Sequence, residues 1–425
     1  MRQVLEKFLA DSAHRLLARE RPQVIAVTGS VGKSSTKQAT LAVLGAKFAV
    51  RGTPGNFNTE IGLPLTVLGL PGGGSSCFVW FRIAAAACLR SVFGSRNYPR
   101  LLVLEMAADK PGDIAKLCAI AGPDVAVVST VGESHLEAFK TVAAIEKEKG
   151  MAIEALGPDG VAVLNRDDER VWKMRPRTKA AAVGFGFHEE ADVRGLEETV
   201  APVLDPGRPG MRFKLQADGS TVPFFLPGVL GTHSIYAALA AVAVGRRLGM
   251  NLVEIADGLL RYAPAPGRMR LLPGIKGTFL IDDTYNAAPR SVTAALETLR
   301  DIQLAAPDDR KFAVLGDMME LGAESLRMHA EIGAKAVSCA DVVVFVGERM
   351  AEAEKAARVA GVAEGAVFHF ATAGEAGRFV QERMRQGDAV LVKGSRAMEM
   401  ERTVKELMAE PLRAKELLVK AHADW

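Results

Sequence analysis

Cysteine is sparse and unpatterned. The 425 residues hold four, Cys77, Cys88, Cys118 and Cys339, with no Cys-x-x-Cys pair and no zinc spacing. This excludes a disulfide framework and a cysteine-built metal site, and predicts reduced thiols in a cytoplasmic protein. No run reaches the roughly 18 uncharged apolar residues a spanning helix needs. The opening MRQVLEKFLADSAHRLLARE carries charges throughout, so it reads as an amphipathic helix and has no signal-peptide core. Charge excess is lacking too: a net charge of +3 leaves no nucleic-acid footprint. An anionic small-molecule substrate stays compatible, because local fields govern its capture. Repeats and low-complexity segments are absent. Apolar residues are plentiful at 49%, enough for real cores. The length suggests two or three domains.

The stretch VIAVTGSVGKSSTK, residues 24–37, anchors everything else. A short apolar run marks a strand buried on both faces. Thr28, Gly29, Ser30, Val31, Gly32, Lys33, Ser34 and Ser35 follow, and then a helical run. Strand, glycine loop and helix form the context of a phosphate-binding loop, in which backbone N–H groups and the helix N-terminus cradle an anion. Lys33 is placed to reach the β/γ-phosphates of ATP and the Ser34 hydroxyl to meet Mg²⁺. One position departs from the usual loop: Thr28 stands where a glycine is customary, so only the G-x-x-G-K-S core is present. A plain glycine turn is the competing reading.

Further along, a turn-rich loop carries Asn56 and Asn58. A buried strand ends in Glu105, where a carboxylate points into the ligand crevice of an open α/β sheet. His135 sits just past another strand end, and the helix KTVAAIEKEKGMAIEAL holds Lys147 and Lys149. Taken alone, the histidine reads equally as an ordinary loop residue and the lysines as a solvated face. Residues 160–215 alternate short strands and turns, including Asn165-Arg166-Asp167-Asp168, and an Ala-rich helix over Val229–Gly249 carries His233 near its start. The prolines and glycine of Tyr262–Arg268 mark a linker. Beyond it, strands and helices alternate again over about 160 residues, a second doubly wound unit.

With these residues in view, the chain resembles the Mur ligases, ATP-dependent enzymes that add amino acids to the peptidoglycan precursor. The resemblance runs from about Val24 to Val404 through TGSVGKSST, GNFNTEIGLPLTVL, LEMAADKPGDI, VGESHLEAFKTVAAIEKEKG, PGRM, IDDTYNAAP, VLGDMMELG and LVKGSRAMEME, in the family's order. It implies an α/β fold: a central P-loop ATPase domain with a mostly parallel sheet over residues 1–263, then a Rossmann-like doubly wound domain over 264–425. It implies an amide ligase working through an acyl phosphate. A small-molecule acceptor supplies the carboxylate, an amino acid or dipeptide supplies the amine, and the branch adding D-alanyl-D-alanine to a muramoyl peptide is the expected one. A folate- or polyglutamate-type acceptor, a lipid-linked acceptor and a non-catalytic nucleotide-binding module stay open.

The resemblance also implies roles. Ser34 and Glu105 hold one Mg²⁺; His135 and a carbamylated Lys149, with Lys147 as fallback, hold a second. Lys33, His135 and Lys149 form the catalytic set. Asn56 and Asn58 lie between phosphate and acceptor. ATP lies between the two domains, touched by Arg268, Asp283, Tyr285 and Asn286. Lys393, Ser395 and Arg396 hold the amine. Two departures stand out. Where the family shows His-Asn-x-x-Asn, this chain has His233-Ser234-Ile235-Tyr236-Ala237, which puts the usual adenine contacts in doubt. At the front, 23 residues precede Val24, too few to fold alone, so the domain that grips UDP in relatives is expected to be missing. An insertion at about 71–99 is likewise foreign to the family. Within it, residues 76–93 predict an apolar helix about 27 Å long, carrying Trp80, Phe81, Arg82 and Arg90 and followed by Arg96 and Arg100. Packing within the chain, self-association, a partner protein and a peripheral membrane contact are its open readings, the last with Trp80 and Phe81 entering the lipid.

Overall fold

The computed structural model describes residues 2–55, 57–74, 76–132, 136–204, 209–363 and 365–419. The chain divides into two compact units. The first is Met1–Thr199 with Phe213–Phe225 and Ile235–Tyr262; the second is Val200–Arg212 with Leu226–Ser234 and Ala263–Trp425.

The first unit begins with α1 (Arg2–Glu20), β1 (Gln23–Thr28), α2 (Lys33–Leu44), β2 (Val50–Gly52), α3 (Gly62–Leu68), α4 (Cys77–Phe93), β3 (Leu101–Glu105), α5 (Asp113–Ile120) and β4 (Val125–Val128). It continues with α6 (Leu136–Phe139), α7 (Val142–Glu154), β5 (Val161–Asn165), α8 (Glu169–Trp172) and β6 (Ala181–Gly186). Strands β7 (Val193–Val203), β8 (Gly210–Ala217) and β9 (Ser220–Pro227) complete a sheet of order β2-β3-β1-β4-β5-β6-β7-β8-β9. From β2 through β6 every pairing is parallel, with Val27 opposite both Glu105 and Val127. β1, β3, β4 and β5 are apolar along most of their length because helices cover both faces. The chain winds from β1 outward to β2 and β3 on one side and to β4 and β5 on the other. β1 therefore sits at a topological switch point, where open α/β sheets bind ligands at the strands' C-terminal ends.

The second unit carries β10 (Arg270–Pro273), β11 (Phe279–Asp283), β12 (Lys311–Gly316), β13 (Val342–Val346), β14 (Val367–Phe370) and β15 (Ala389–Lys393). Their order is β10-β11-β15-β12-β13-β14, all parallel except the antiparallel β10–β11 edge. Its core is built from Phe312, Val314, Val344, Val346, Val390 and Val392 with the helices that cover them.

One boundary differs from the sequence expectation. The helix after the glycines, α9 (Thr232–Arg247), begins three residues later than Val229. Gly228 and Gly231 take left-handed φ values of 68° and 88°, and Val229 forms an antiparallel bridge with Arg270 instead.

Candidate functional site

The loop after β1 is laced to the end of β4. Gly29 has φ 141°, and a Cβ there would stand 2.1 Å from Ser129 Oγ, so only glycine fits. Ser30 N donates to Thr130 O at 2.8 Å, Val31 N to Thr130 Oγ1 at 3.1 Å, and Ser129 Oγ to Val31 O at 2.6 Å. Gly32, φ 87°, is the N-cap of α2, after which Lys33, Ser34 and Ser35 bring N–H groups that have no intrahelical acceptor. Lys33 Nζ folds over the loop, donating to Gly29 O at 2.7 Å and Ser30 O at 3.1 Å. Thr28 is buried, and its hydroxyl donates to Met106 O at 2.9 Å. This explains the departure from glycine: the side chain ties β1 to the residue after β3.

Glu105 is the meeting point beside this loop. Its Oε1 accepts from Ser34 Oγ at 3.0 Å and from Asn58 Nδ2 at 3.2 Å. Its Oε2 lies 3.1 Å from Lys37 Nζ, and both side chains are almost fully buried. Lys37 also donates to Thr53 O at 2.9 Å and Gly55 O at 3.4 Å, and Thr53 Oγ1 accepts from the Glu105 amide at 2.9 Å. A hydroxyl and a carboxylate are hard oxygen donors suited to Mg²⁺. Their 3.0 Å separation is near the edge of an octahedron with bonds of 2.0–2.1 Å, about 2.9 Å. Asn56 and His135 lie outside the described residues. Among the described residues no group of three or more His, Cys, Asp or Glu stands ready as a metal cluster.

Helix α7 begins at the Thr141 cap and separates its two lysines cleanly. Lys147 is exposed, whereas Glu148 and Lys149 are buried. Glu148 caps α5 from outside, accepting from Gly112 N and Ile114 N at 2.7 Å each. Lys149 has its pKa pushed down to about 7, mainly by burial and then by the nearby Lys33 charge, against the opposing pull of Glu148, Asp109 and Asp113. A buried lysine near neutrality is a reactive amine.

Sequence reasoning missed Lys37, Glu148, Ser129 and Thr130. It noted the 165–168 turn without a role. There Asn165 Nδ2 donates to Ser129 O at 2.9 Å, and Asp168 Oδ2 accepts from Val131 N at 2.9 Å. The turn thereby holds the β4 end that laces the loop.

In the second unit, Asp283, Asn286, Lys393 and Ser395 come together. Lys393 Nζ lies 2.6 Å from Asp283 Oδ2 and donates to Asn286 O at 2.9 Å. Ser395 Oγ donates to Ala287 O at 3.3 Å and accepts from Met319 N at 2.9 Å. Arg396 pairs with the buried Glu401 at 2.7 Å. Arg268 stacks over the Tyr285 ring, 3.8 Å from its centroid. Asp282 is fully buried; it accepts from Gly267 N at 2.9 Å and Thr284 Oγ1 at 2.6 Å, and burial raises its pKa to about 6. His233 is held below its ordinary pKa by burial, with Asp283 pulling the other way. At the two positions where asparagines were looked for, Ser234 and Ala237 are buried, and Ser234 Oγ donates to Leu230 O at 3.1 Å. Neither supplies an amide.

Residues 27–80 and 89–245 match the family model of the Mur ligase middle domain, and 267–396 match that of the Mur ligase glutamate ligase domain. The UDP-N-acetylmuramoyl-tripeptide--D-alanyl-D-alanine ligase of Bacillus subtilis (strain 168) is 32% identical over 400 residues, 92% of this chain and 77% of the relative. The ligase of the same name from Escherichia coli (strain K12) is 31% identical over 388 residues, 91% of this chain and 76% of the relative. Among solved structures, the MurF ligase of Thermotoga maritima in complex with ADP superposes with a TM-score of 0.76 at 29% identity, over 97% of this chain and 84% of that one.

Proposed function

This chain belongs to the Mur ligase family of ATP-dependent, ADP-forming ligases, and from that premise we propose that it joins D-alanyl-D-alanine to a muramoyl-tripeptide carboxylate in peptidoglycan precursor synthesis. The relatives of that name support the choice of acceptor and amine over a folate-type acceptor. The observation that carries the chemistry is the convergence of Ser34, Asn58 and Lys37 on Glu105 beside the phosphate loop.

An acceptor carboxylate oxygen attacks the γ-phosphorus of ATP, the bond to the β-phosphate oxygen breaks, and ADP leaves. The dipeptide amine then attacks the acyl carbon, loses a proton, and expels phosphate. Positioning and charge neutralisation dominate such a step. Residues 28–35 cradle the phosphates, and Lys33 exchanges its two carbonyl contacts for phosphate oxygens. We assign Ser34 and Glu105 to one Mg²⁺, with His135 and Lys149 as the ligands of a second. Bound Mg²⁺ supplies neutralisation of phosphate charge. A neutral Lys149 Nζ can add to carbon dioxide, forming an N–C bond, releasing a proton and leaving an anionic oxygen donor suited to Mg²⁺. Lys37 holds Glu105 in place from behind. In the second unit, Arg268, Asp283, Tyr285 and Asn286 are assigned to the nucleotide, and Lys393, Ser395 and Arg396 to the amine. With Ser234 and Ala237 buried, adenine is held without the usual amides.

The test is ADP formation with each reactant omitted in turn. Continued formation, beyond one ADP per enzyme, is expected only when a muramoyl tripeptide and D-alanyl-D-alanine are both present, and Lys33→Ala is expected to abolish it. Multiple-turnover ADP formation with both acceptor and amine omitted would identify a simple nucleotidase.

A further inference from the structure

Helix α4 has two apolar faces, and only one is used inside the molecule. Ile83 and Ala87 are buried in the core cluster that includes Leu9, Ala13 and Leu16 of α1. The helix is pinned there. Arg90 donates to Leu68 O and, at 2.8 Å, to Gly69 O; Arg19 donates to Val92 O at 2.9 Å; Ser95 N donates to Glu20 Oε1 at 2.9 Å. On the opposite face Phe78, Phe81, Leu89, Val92 and Phe93 are exposed, the three phenylalanines at 70–73%. At about 100° per residue these five fall within an arc of about 120° centred near Ala85, with Arg82 within it. The helix is 17 residues long, or about 25 Å. No helix among the described residues is long and apolar enough to cross a membrane.

The segment that carries this face has charge of one sign. From Ile61 to Leu104 there is no aspartate, glutamate or lysine, but there are four arginines, Arg82, Arg90, Arg96 and Arg100. Arg90 is turned to backbone carbonyls, and the other three are exposed. Phe81 and Arg82 at the middle of this face fall in the gap, residues 81–88, between the two matched stretches of the middle-domain model.

We propose that the outer face of α4 seats this chain on an anionic lipid surface, with Phe78, Phe81, Leu89, Val92 and Phe93 entering the interface and Arg82, Arg96 and Arg100 meeting lipid phosphates. A rigid apolar stripe lying in the plane of a bilayer, with only cations on its own segment and the neighbouring Glu20 carboxylate tied to the Ser95 amide, matches an interface that is apolar below and negative above. A second copy of the chain fits less well, because pairing two such faces sets arginine against arginine. Trp80 is not part of the face, contrary to the sequence expectation: its Nε1 donates to Gly74 O at 3.0 Å, and its ring packs against Gly73 and the core.

Co-sedimentation of the full chain with vesicles decides the matter. Binding is expected to phosphatidylglycerol-containing vesicles, weaker at physiological than at low salt, and absent with pure phosphatidylcholine. Each of Arg82→Gln and Arg96→Gln is expected to weaken it about fivefold. Phe81→Ser/Phe93→Ser is expected to remove it while leaving the melting temperature and ADP formation unchanged, which separates loss of docking from loss of fold. The proposal is overturned if the wild type stays in the supernatant at low salt, or if the double serine variant binds equally well. It is also overturned if that variant only converts a lipid-free dimer to monomer, the signature of a second copy on this face.

Discussion

The Lys37 ammonium lies 3.1 Å from the Glu105 carboxylate, with 2% and 3% of their side chains exposed. Lys37→Met removes the cation 3.1 Å from this buried carboxylate, a change that costs about 3–5 kcal/mol. Urea denaturation is expected to show a loss of that size. Glu105→Gln should cost less, because Lys37 keeps the carbonyls of Thr53 and Gly55. A Lys37→Met variant within about 0.5 kcal/mol of wild type, the range of an ordinary surface change, would contradict the pairing.

Lys149, with a pKa near 7, makes the proposed carbamate sensitive to pH and carbon dioxide. Only the neutral amine reacts, so its available fraction falls as pH drops through about 7. Carbon-13 bicarbonate is expected to label the wild type and not Lys149→Ala, and to label Lys147→Ala normally. The label should diminish between pH 8 and pH 6. Equal labelling of Lys149→Ala would place the modification elsewhere.

The strand, glycine loop and helix of residues 24–37 were legible because their signal is local: a buried strand, G-x-x-G-K-S and a helix within 14 residues. Glu105 was legible from its place at a strand end. Lys37 was not, because a lysine inside a helix looks solvated until β3 and the loop at Thr53 close over it. The choice between Lys147 and Lys149 rested on resemblance, since EKEK gives no face by itself; that Lys149 lies on the buried side of α7 is seen only in the structure. Ser129 and Thr130 carry no local signal, because their contacts span about 100 positions in sequence. The late start of α9 came from two left-handed glycines that periodicity does not register.

Asp282 makes a stability prediction with a definite sign. Its folded-state pKa is raised from 3.8 to about 6, so the folded chain binds this proton more tightly than the unfolded chain. Its contribution therefore improves as pH falls from about 7 toward 4 and is lost as pH rises through about 6. Asp282→Asn stays neutral throughout. The stability of the wild type relative to Asp282→Asn is expected to increase between pH 7.5 and pH 5, by about 1.4 kcal/mol. Parallel denaturation curves for the two proteins would contradict the buried charge.

The central claim, amide formation through an acyl phosphate, is tested most directly by isotope transfer. The acceptor muramoyl tripeptide is prepared with oxygen-18 in its reacting carboxylate and incubated with ATP, Mg²⁺ and D-alanyl-D-alanine, and the released phosphate is analysed by mass spectrometry. One labelled oxygen per phosphate, with the amide product formed in equal amount, is the predicted result. Unlabelled phosphate, with or without product, would contradict it.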